Sequence, residues 1–192
     1  MRSDWLDLLL VGVLLAAPAL GIMLFADAAW GLLRYDRPAV LDGQLWRLLS
    51  AHWIHLGPTH LAVNLAGLAL VLAVLGRLLT PTSLLLSALF GALGVGLGLL
   101  LFSPGLYWYA GLSGMIASIW GTASARGARC GSWLGWASLA LLLGRVLLEQ
   151  LAGPSPALAQ LIGGAVIVDA HLYGAATGVL IGVLLPRLTT RH

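Results

Sequence analysis

Polar residues interrupt three apolar stretches of this sequence. His60 and Asn64 lie four residues apart at the start of one stretch. Ser113 opens a second stretch, and His171 opens a third. A serine hydroxyl is a weak nucleophile until a base such as neutral imidazole takes its proton, and attack on an ester or amide develops an oxyanion that needs fixed hydrogen-bond donors. These residue types together could therefore catalyse acyl transfer.

The composition indicates that these residues lie in a membrane. The chain has 192 residues, of which 60% are hydrophobic and only 9% are charged, whereas soluble domains carry about 25% charged residues. A spanning helix needs about 20 apolar residues. The sequence predicts an all-α membrane protein of one domain, residues 1–192, with six spans. These are residues 8–26, 60–79, 84–102, 112–125, 132–151 and 170–187.

Other classes of protein fit the composition poorly. The single cysteine, Cys130, excludes an intramolecular disulfide scaffold. All ten basic residues are arginines scattered among the apolar runs. That distribution is typical of membrane topology rather than of a nucleic-acid-binding patch.

Topology brings the polar residues together. Alternate helices of a bundle run in the same direction, so the second, fourth and sixth spans begin at the same membrane face. His60, Asn64, Ser113 and His171 each lie within about two turns of that start, and therefore at a similar depth. The spacing of four puts His60 and Asn64 on one face of their helix.

Small residues predict close contact between the helices that carry the serine and the histidine. Ser113, Ala117 and Gly121 form a stripe on the fourth span, and Gly174 and Gly178 form a G-x-x-x-G on the sixth. Such stripes let helix backbones approach closely in lipid. Such stripes also occur in membrane bundles where they serve only to pack one helix against another.

No acidic residue is an evident third partner for the histidine. Asp169 is two residues from His171, and residues two apart on a helix do not share a face. We interpret Asp169 as the N-cap of the sixth span, which leaves a Ser-His dyad. Arg145 and Glu149, four apart near the end of the fifth span, are expected to form an interfacial ion pair.

These motifs resemble the rhomboid family of intramembrane serine proteases. The resemblance rests on Trp46-Arg47, on the H-x-x-x-N of His60 and Asn64, and on two further motifs. These are the G-x-S-G of residues 111–114 and the A-H-x-x-G-x-x-x-G of residues 170–178. Their order, their positions and the number of spans agree with the family over essentially the whole chain. The expected fold is therefore the six-helix rhomboid bundle with a long first loop.

The resemblance implies a role for each of these residues. Ser113 would attack the scissile carbonyl of a transmembrane substrate, and His171 would act as base and then as acid. His60, Asn64 and the backbone N–H of Ser113 would hold the oxyanion. The glycines of the motifs, Gly111, Gly114, Gly174 and Gly178, would pack the helices at the site. An acyl-enzyme, no metal and no cofactor are implied, and a movable cap loop or fifth span would control substrate access.

One position departs from the usual pattern of the family. Many rhomboids carry an aromatic residue four positions after the serine, beneath the histidine ring, and this chain has Ala117 there. Support for His171 must then come from elsewhere.

The compact chain with short loops is similar to rhombosortases, a bacterial branch that processes proteins ending in Gly-Gly, a helix and a basic tail.

The arginines indicate the orientation. The termini and the loops that share their side of the membrane carry six arginines, and the other side carries three. The positive-inside rule then places both termini in the cytoplasm. The richer side holds Arg2, Arg77, Arg126, Arg129, Arg187 and Arg191, and the poorer side holds Arg34, Arg37 and Arg47. The site would then open to the outer, periplasmic face of a bacterial inner membrane. The loop of residues 27–58 is rich in tryptophan and is expected to be partly embedded in the outer interface.

Several alternatives stay open on the sequence alone. Residues 1–28 could be a signal peptide cleaved after Ala26-Asp27-Ala28. The chain could be an inactive rhomboid-like protein that binds transmembrane segments, or a small transporter that uses its polar layer as a pathway. His52 and His55 could join His60 and His171 in a metal or haem site, although we expect them to brace the loop. Residues 107–109 are interpreted as an aromatic belt, with lining of the substrate cleft as the alternative.

Overall fold

The fold was analysed in a computed structural model that describes residues 2–186, without the side chains of residues 2–4 and 26–27. The chain forms ten helices and one two-stranded sheet within this range. Six of the helices are long. They are α1 (Arg2–Met23), α5 (Pro58–Leu75), α6 (Pro81–Phe102), α7 (Ser113–Arg129), α8 (Trp133–Ala152) and α10 (Val168–Leu184). Arg187 and Arg191 lie outside the described residues.

These six helices match the six apolar runs, and the all-α membrane bundle is confirmed. Four segments of the described chain are long and apolar enough to cross a membrane, and they correspond to α1, α5 with the 3-10 turn that follows it, α6 and α8. Helix α10 is apolar but shorter. Helix α7 runs four residues beyond the predicted end of its span. It is rich in small residues, so its hydropathy gave a poor guide to its length.

Local sequence explains several helix boundaries. Helices α5 and α6 each begin at a proline, which suits the first turn because the missing N–H has no partner there. Thr80 and Ser83 form a reciprocal capping box at the start of α6. Ser132 caps α8, which ends at Gly153 with a φ of +78°.

Helix α7 lies at the centre of the bundle and packs against α5, α6, α8 and α10. Nearly every residue from Gly114 to Ala128 is buried. Its hydroxyls find partners on the neighbouring helices. Ser118 Oγ donates to the carbonyl of Ser87 at 2.8 Å, and Thr122 Oγ1 donates to that of Gly178 at 3.0 Å. These two buried hydroxyls are thus hydrogen-bonded in the protein interior.

The long first loop is folded. It contains α2 (Ala26–Leu33), β1 (Tyr35–Asp36), α3 (Arg37–Leu41), α4 (Arg47–Ser50) and a 3-10 turn over Ala51–Trp53. Buried Arg47 holds this loop together, because its guanidinium donates to the carbonyls of Gly31 and Arg34 and to Gln44 Oε1 at 2.8–2.9 Å.

Two contacts fix the loop to the segment that precedes α7. Strand β1 pairs antiparallel with β2 (Trp108–Tyr109), with Tyr35 opposite Tyr109. The N–H of Gly111 donates to the carbonyl of Ala51 at 3.0 Å. The loop therefore positions the start of the helix that carries Ser113. The remaining short helix, α9 (Pro156–Ile162), connects α8 to α10.

Candidate active site

The backbones of α7 and α10 touch. A Cβ on Gly174 would overlap the carbonyl oxygen of Gly114, and a Cβ on Gly178 would overlap that of Ser118. Gly121 lies against α10 in the same way, with the carbonyl oxygen of Ala175 only 2.9 Å from the position of a Cβ. Small residues thus bring the helices of Ser113 and His171 into direct contact. On α7 the contact runs through Gly114, Ser118 and Gly121, while Ala117 faces a cavity instead.

Ser113 is the first residue of α7. Tyr109 holds the turn before it, since its hydroxyl donates to the carbonyl of Gly111 at 2.5 Å and accepts the N–H of Gly114 at 3.4 Å. Burial raises the pKa of Tyr109 to about 12, so this hydroxyl stays protonated. The N-cap residue, Leu112, has no polar side chain to cap α7, so the N–H groups of Ser113 and Met115 in the first turn remain available to an anion.

A cavity of about 220 Å³ brings the four predicted residues together: His60, Asn64, Ser113 and His171 all line it. Most of the remaining wall is apolar, and it includes Val63, Ile116, Leu142, Val146, Leu158 and Ile162. Ser113 and His171 are both described, and the structure places no hydrogen bond between them. Such contacts often tighten only when substrate binds.

His60 and Asn64 present donors to this cavity. The N–H of Leu56 donates to His60 Nδ1 at 3.3 Å, so the neutral ring carries its proton on Nε2. Asn64 Nδ2 donates one hydrogen to the carbonyl of His60 at 3.2 Å, which leaves its second hydrogen free.

Gly111 allows both donors to lie close to Ser113. Its φ is +129°, and a Cβ there would come within 2.9 Å of His60 Nε2 and 3.6 Å of Asn64 Nδ2. Any larger residue would be strained and would push the ring away. Gly111 therefore lies against the side chains of the site, not at a helix–helix contact as predicted.

An acidic residue does reach the histidine. Glu149 Oε2 lies 2.7 Å from His171 Nδ1, and Arg145 Nε donates to the other oxygen of this carboxylate at 3.1 Å. The pair of Arg145 and Glu149 was expected, but its contact with His171 was not. The conclusion that no acid partners the histidine was therefore wrong.

Asp169 is not the N-cap of its helix. Ile167 occupies that position, and Asp169 lies in the first turn, where its Oδ2 accepts a hydrogen bond from Ser103 Oγ at 2.5 Å. Because Glu149 lies on a different helix, 22 residues before His171, spacing along the chain could not identify it. The sequence did contain one indication of this contact, because the expected ion pair of Arg145 and Glu149 lies near the end of the fifth span, at the same predicted depth as His171.

The other histidines are structural. His52 is fully buried, its Nε2 donates to the carbonyl of Ala92 at 3.0 Å, and the ring of His55 lies edge-on to that of His60. Burial lowers the pKa of His52 to about 4, and burial with the nearby His60 lowers that of His55 to about 3. Both rings are therefore neutral at pH 7. Within the described range, no three His, Cys, Asp or Glu side chains are grouped to hold a metal ion.

Two of the three aromatic residues before α7 line the cavity, which was the alternative to an aromatic belt. Tyr109 is buried, and both Trp108 and Tyr109 line the cavity, whereas Tyr107 is exposed. Trp120 also lines it and donates from Nε1 to Ser138 Oγ at 2.7 Å. Ala117 is part of the same wall.

Comparison with known proteins gives one family. The family model described as "Rhomboid domain" matches residues 42–188, which is more than three quarters of the chain. This range includes the cavity and all the residues that line it. No curated protein matches the sequence significantly.

Proposed function

Since this chain belongs to the rhomboid family of intramembrane proteases, we propose that it is an active serine protease that cleaves within or near transmembrane segments. The proposal assigns Ser113 as nucleophile and His171 as general base. The observation that carries it is a single cavity lined by a helix-terminal serine, a histidine and two side-chain donors. Each of these groups has a role in acyl transfer.

In the proposed reaction, Ser113 Oγ attacks the scissile carbonyl carbon while His171 Nε2 takes the hydroxyl proton. The protonated imidazole then gives this proton to the leaving amine, and an acyl-enzyme remains. Water attacks the ester with His171 again acting as base, which frees the carboxylic acid and restores the serine. No other reactant is needed.

The oxyanion would be held by donors from two helices. His60 Nε2–H and the free hydrogen of Asn64 Nδ2 come from α5, whose side chains lie against Gly111. Backbone N–H groups come from the first turn of α7, which begins two residues after Gly111. Donors of this kind act through electrostatic preorganisation, and loss of one typically costs about 10²- to 10³-fold in kcat. The positive end of the α7 dipole adds to the same effect.

The cavity favours an apolar substrate. Its wall is mainly aliphatic, and several of its residues come from α5, α8 and α9. Among the four candidate spans of the described residues, the span in α8 is the least buried, with 17% of its apolar window inside the bundle. A transmembrane segment approaching from the lipid beside α8 would find an apolar path to Ser113.

The compact chain and short loops support a narrower assignment to the rhombosortase branch. Its substrates would carry a C-terminal Gly-Gly motif followed by a helix and a basic tail. Cleavage of a reporter with such a tail, but not of the same reporter with the two glycines replaced by leucine, would support this assignment. Equal cleavage of both reporters would contradict it.

We also propose that both termini are cytoplasmic and that the cavity opens to the periplasmic face of a bacterial inner membrane. Arginine supports this orientation, since Arg126 and Arg129 lie at the opposite end of α7 from Ser113. A reporter fused after His192 should be active only if it is in the cytoplasm. Activity on the outer face would overturn the proposed orientation.

Labelling with a fluorophosphonate probe tests the catalytic proposal. The probe should form an adduct on Ser113, and both Ser113→Ala and His171→Ala should abolish it. Ser118→Ala is the matched control, because Ser118 lies on the same helix but its Oγ is buried against the Ser87 carbonyl. It should keep the adduct, and chelators should not affect labelling.

An absence of adduct on folded protein, both in detergent and in bilayers, would contradict the catalytic proposal. It would favour a rhomboid-like protein that binds transmembrane segments without cleaving them. Solute uptake that survives Ser113→Ala would favour a transporter instead.

A further inference from the structure

We propose that Glu149 is a positioning residue that completes a Ser113–His171–Glu149 triad, an inference that rests on the proposed protease function. Glu149 Oε2 lies 2.7 Å from His171 Nδ1, and both side chains are largely shielded, with 15% and 6% of their surfaces exposed. An ionised carboxylate can only accept a hydrogen bond. The neutral ring must therefore carry its proton on Nδ1.

This tautomer is the one that catalysis needs. With Nδ1 protonated, His171 Nε2 keeps its lone pair and can take the proton of Ser113 Oγ as the bond to the substrate carbon forms. The resulting imidazolium carries a hydrogen on each nitrogen, and Nδ1–H continues to donate to Glu149. The carboxylate remains ionised throughout and stabilises the positive ring.

Glu149 also supplies the support that Ala117 cannot. An alanine methyl is too small to pack beneath the imidazole, and Ala117 only lines the cavity wall. A short hydrogen bond from α8 fixes the ring's orientation instead. Because Glu149 is on α8 and His171 is on α10, the orientation of the base depends on how these two helices are packed.

Arg145 fixes Glu149 in turn. Its Nε donates to Glu149 Oε1 at 3.1 Å, and its side chain is 46% exposed at the cavity. The other ionisable groups that line the same cavity are His60 from α5 and Tyr109 from β2. The charged groups of α7, Arg126 and Arg129, are at its far end. Glu149 is thus the only carboxylate at the histidine among the described residues.

The substitution Glu149→Gln reverses the tautomer because of Arg145. A guanidinium can only donate, so the introduced amide would turn its oxygen toward Arg145 and its NH₂ toward His171. Nδ1 would then have to accept, and the ring proton would move to Nε2, where it blocks the base. An amide in place of the triad carboxylate lowers kcat by about 10⁴-fold in chymotrypsin-type enzymes for this reason.

Rates of Ser113 labelling across pH test the triad in the full-length protein. Glu149→Gln should lower the rate by at least about 10²-fold and alter its pH profile. The double variant with Glu149→Gln and Arg145→Met should recover part of the rate, because the introduced amide is then free to turn its oxygen toward His171 Nδ1–H. Glu149→Asp, which keeps the charge but shortens the reach, should retain more activity than Glu149→Gln.

Asp169→Asn is the matched control. It removes a carboxylate from the same helix as His171, but one that is bound to Ser103. It should leave the pH profile unchanged. Labelling of Glu149→Gln within threefold of the wild-type rate, with the same pH profile, would overturn the triad.

A second measurement separates failure of the triad from failure of the proposed protease. The ¹⁵N chemical shifts of the His171 ring, assigned by comparison with His171→Ala, report its tautomer without any reaction. They should show a proton on Nδ1 in the wild type and on Nε2 in Glu149→Gln. The expected shifts without any Ser113 adduct would support the positioning role and contradict the protease. A wild-type proton on Nε2 would overturn the positioning role even if labelling occurs.

Discussion

Replacing Gly178 by alanine should force α7 and α10 apart. The new Cβ would overlap the carbonyl oxygen of Ser118 and would lie 2.7 Å from both the carbonyl carbon and Cα of that residue. Carbon atoms that are not bonded prefer about 3.5–4.0 Å. The conflict is between two helix backbones, so no side chain can move aside and the helices must separate by about 1 Å.

Two losses follow from this separation. Overpacking of a close contact typically lowers the free energy of unfolding by about 1–3 kcal/mol. The bond from Thr122 Oγ1 to the Gly178 carbonyl, 3.0 Å long, would also be stretched. A misplacement of about 1 Å between a nucleophile and its base can lower the rate by about 10²-fold. We expect both a lower melting temperature and slower labelling of Ser113.

The matched control is Gly144→Ala on α8. Gly144 is also inside a long helix, but a Cβ there would meet nothing within 4 Å. Alanine is favoured over glycine in a helix by about 1 kcal/mol, so this variant should be as stable as the wild type or more so. Thermal unfolding in detergent, followed by circular dichroism, measures both variants. A Gly178→Ala protein that melts within one degree of the wild type would refute the close contact.

Three further predictions concern the donors, the loop and the buried histidines. Asn64→Ala should lower kcat for peptide cleavage by about 10²-fold with little change in KM, because the lost donor acts mainly in the transition state. Arg47→Lys should lower the free energy of unfolding by about 1–3 kcal/mol, measured by denaturant titration, since an ammonium group cannot reproduce the planar contacts of the guanidinium. Stability should be full above pH 6.5 and fall as the pH drops toward 4, because unfolding lets His52 and His55, with pKa values of about 4 and 3, take up protons. Melting curves between pH 7 and pH 4.5 check this, and His55→Gln should reduce the slope.

The sequence predicted the family and most of the fold. Runs of apolar residues predicted the six long helices, and four of the described segments are long and apolar enough to cross a bilayer. The common depth of His60, Ser113 and His171 followed from the alternation of helix direction. All three line one cavity.

Some local predictions failed because tertiary contacts changed the surroundings. The first interpretation of Tyr109 was an aromatic belt, but this residue is buried in the strand pair of β1 and β2 and lines the cavity, as the alternative interpretation had it. Asp169 was expected to cap α10, but Ser103, the residue that follows α6, provides a nearby partner. Gly111 was expected at a helix contact and instead leaves room for the His60 ring.

The sequence by itself determined which residues share a face of a single helix, since that depends only on the helical period. His60 with Asn64, and Arg145 with Glu149, are pairs of this kind. Only the tertiary structure decided that Glu149 meets His171. These residues lie on different helices, and their contact depends on how α8 and α10 are rotated and packed within the whole bundle. No spacing along the chain contains that information.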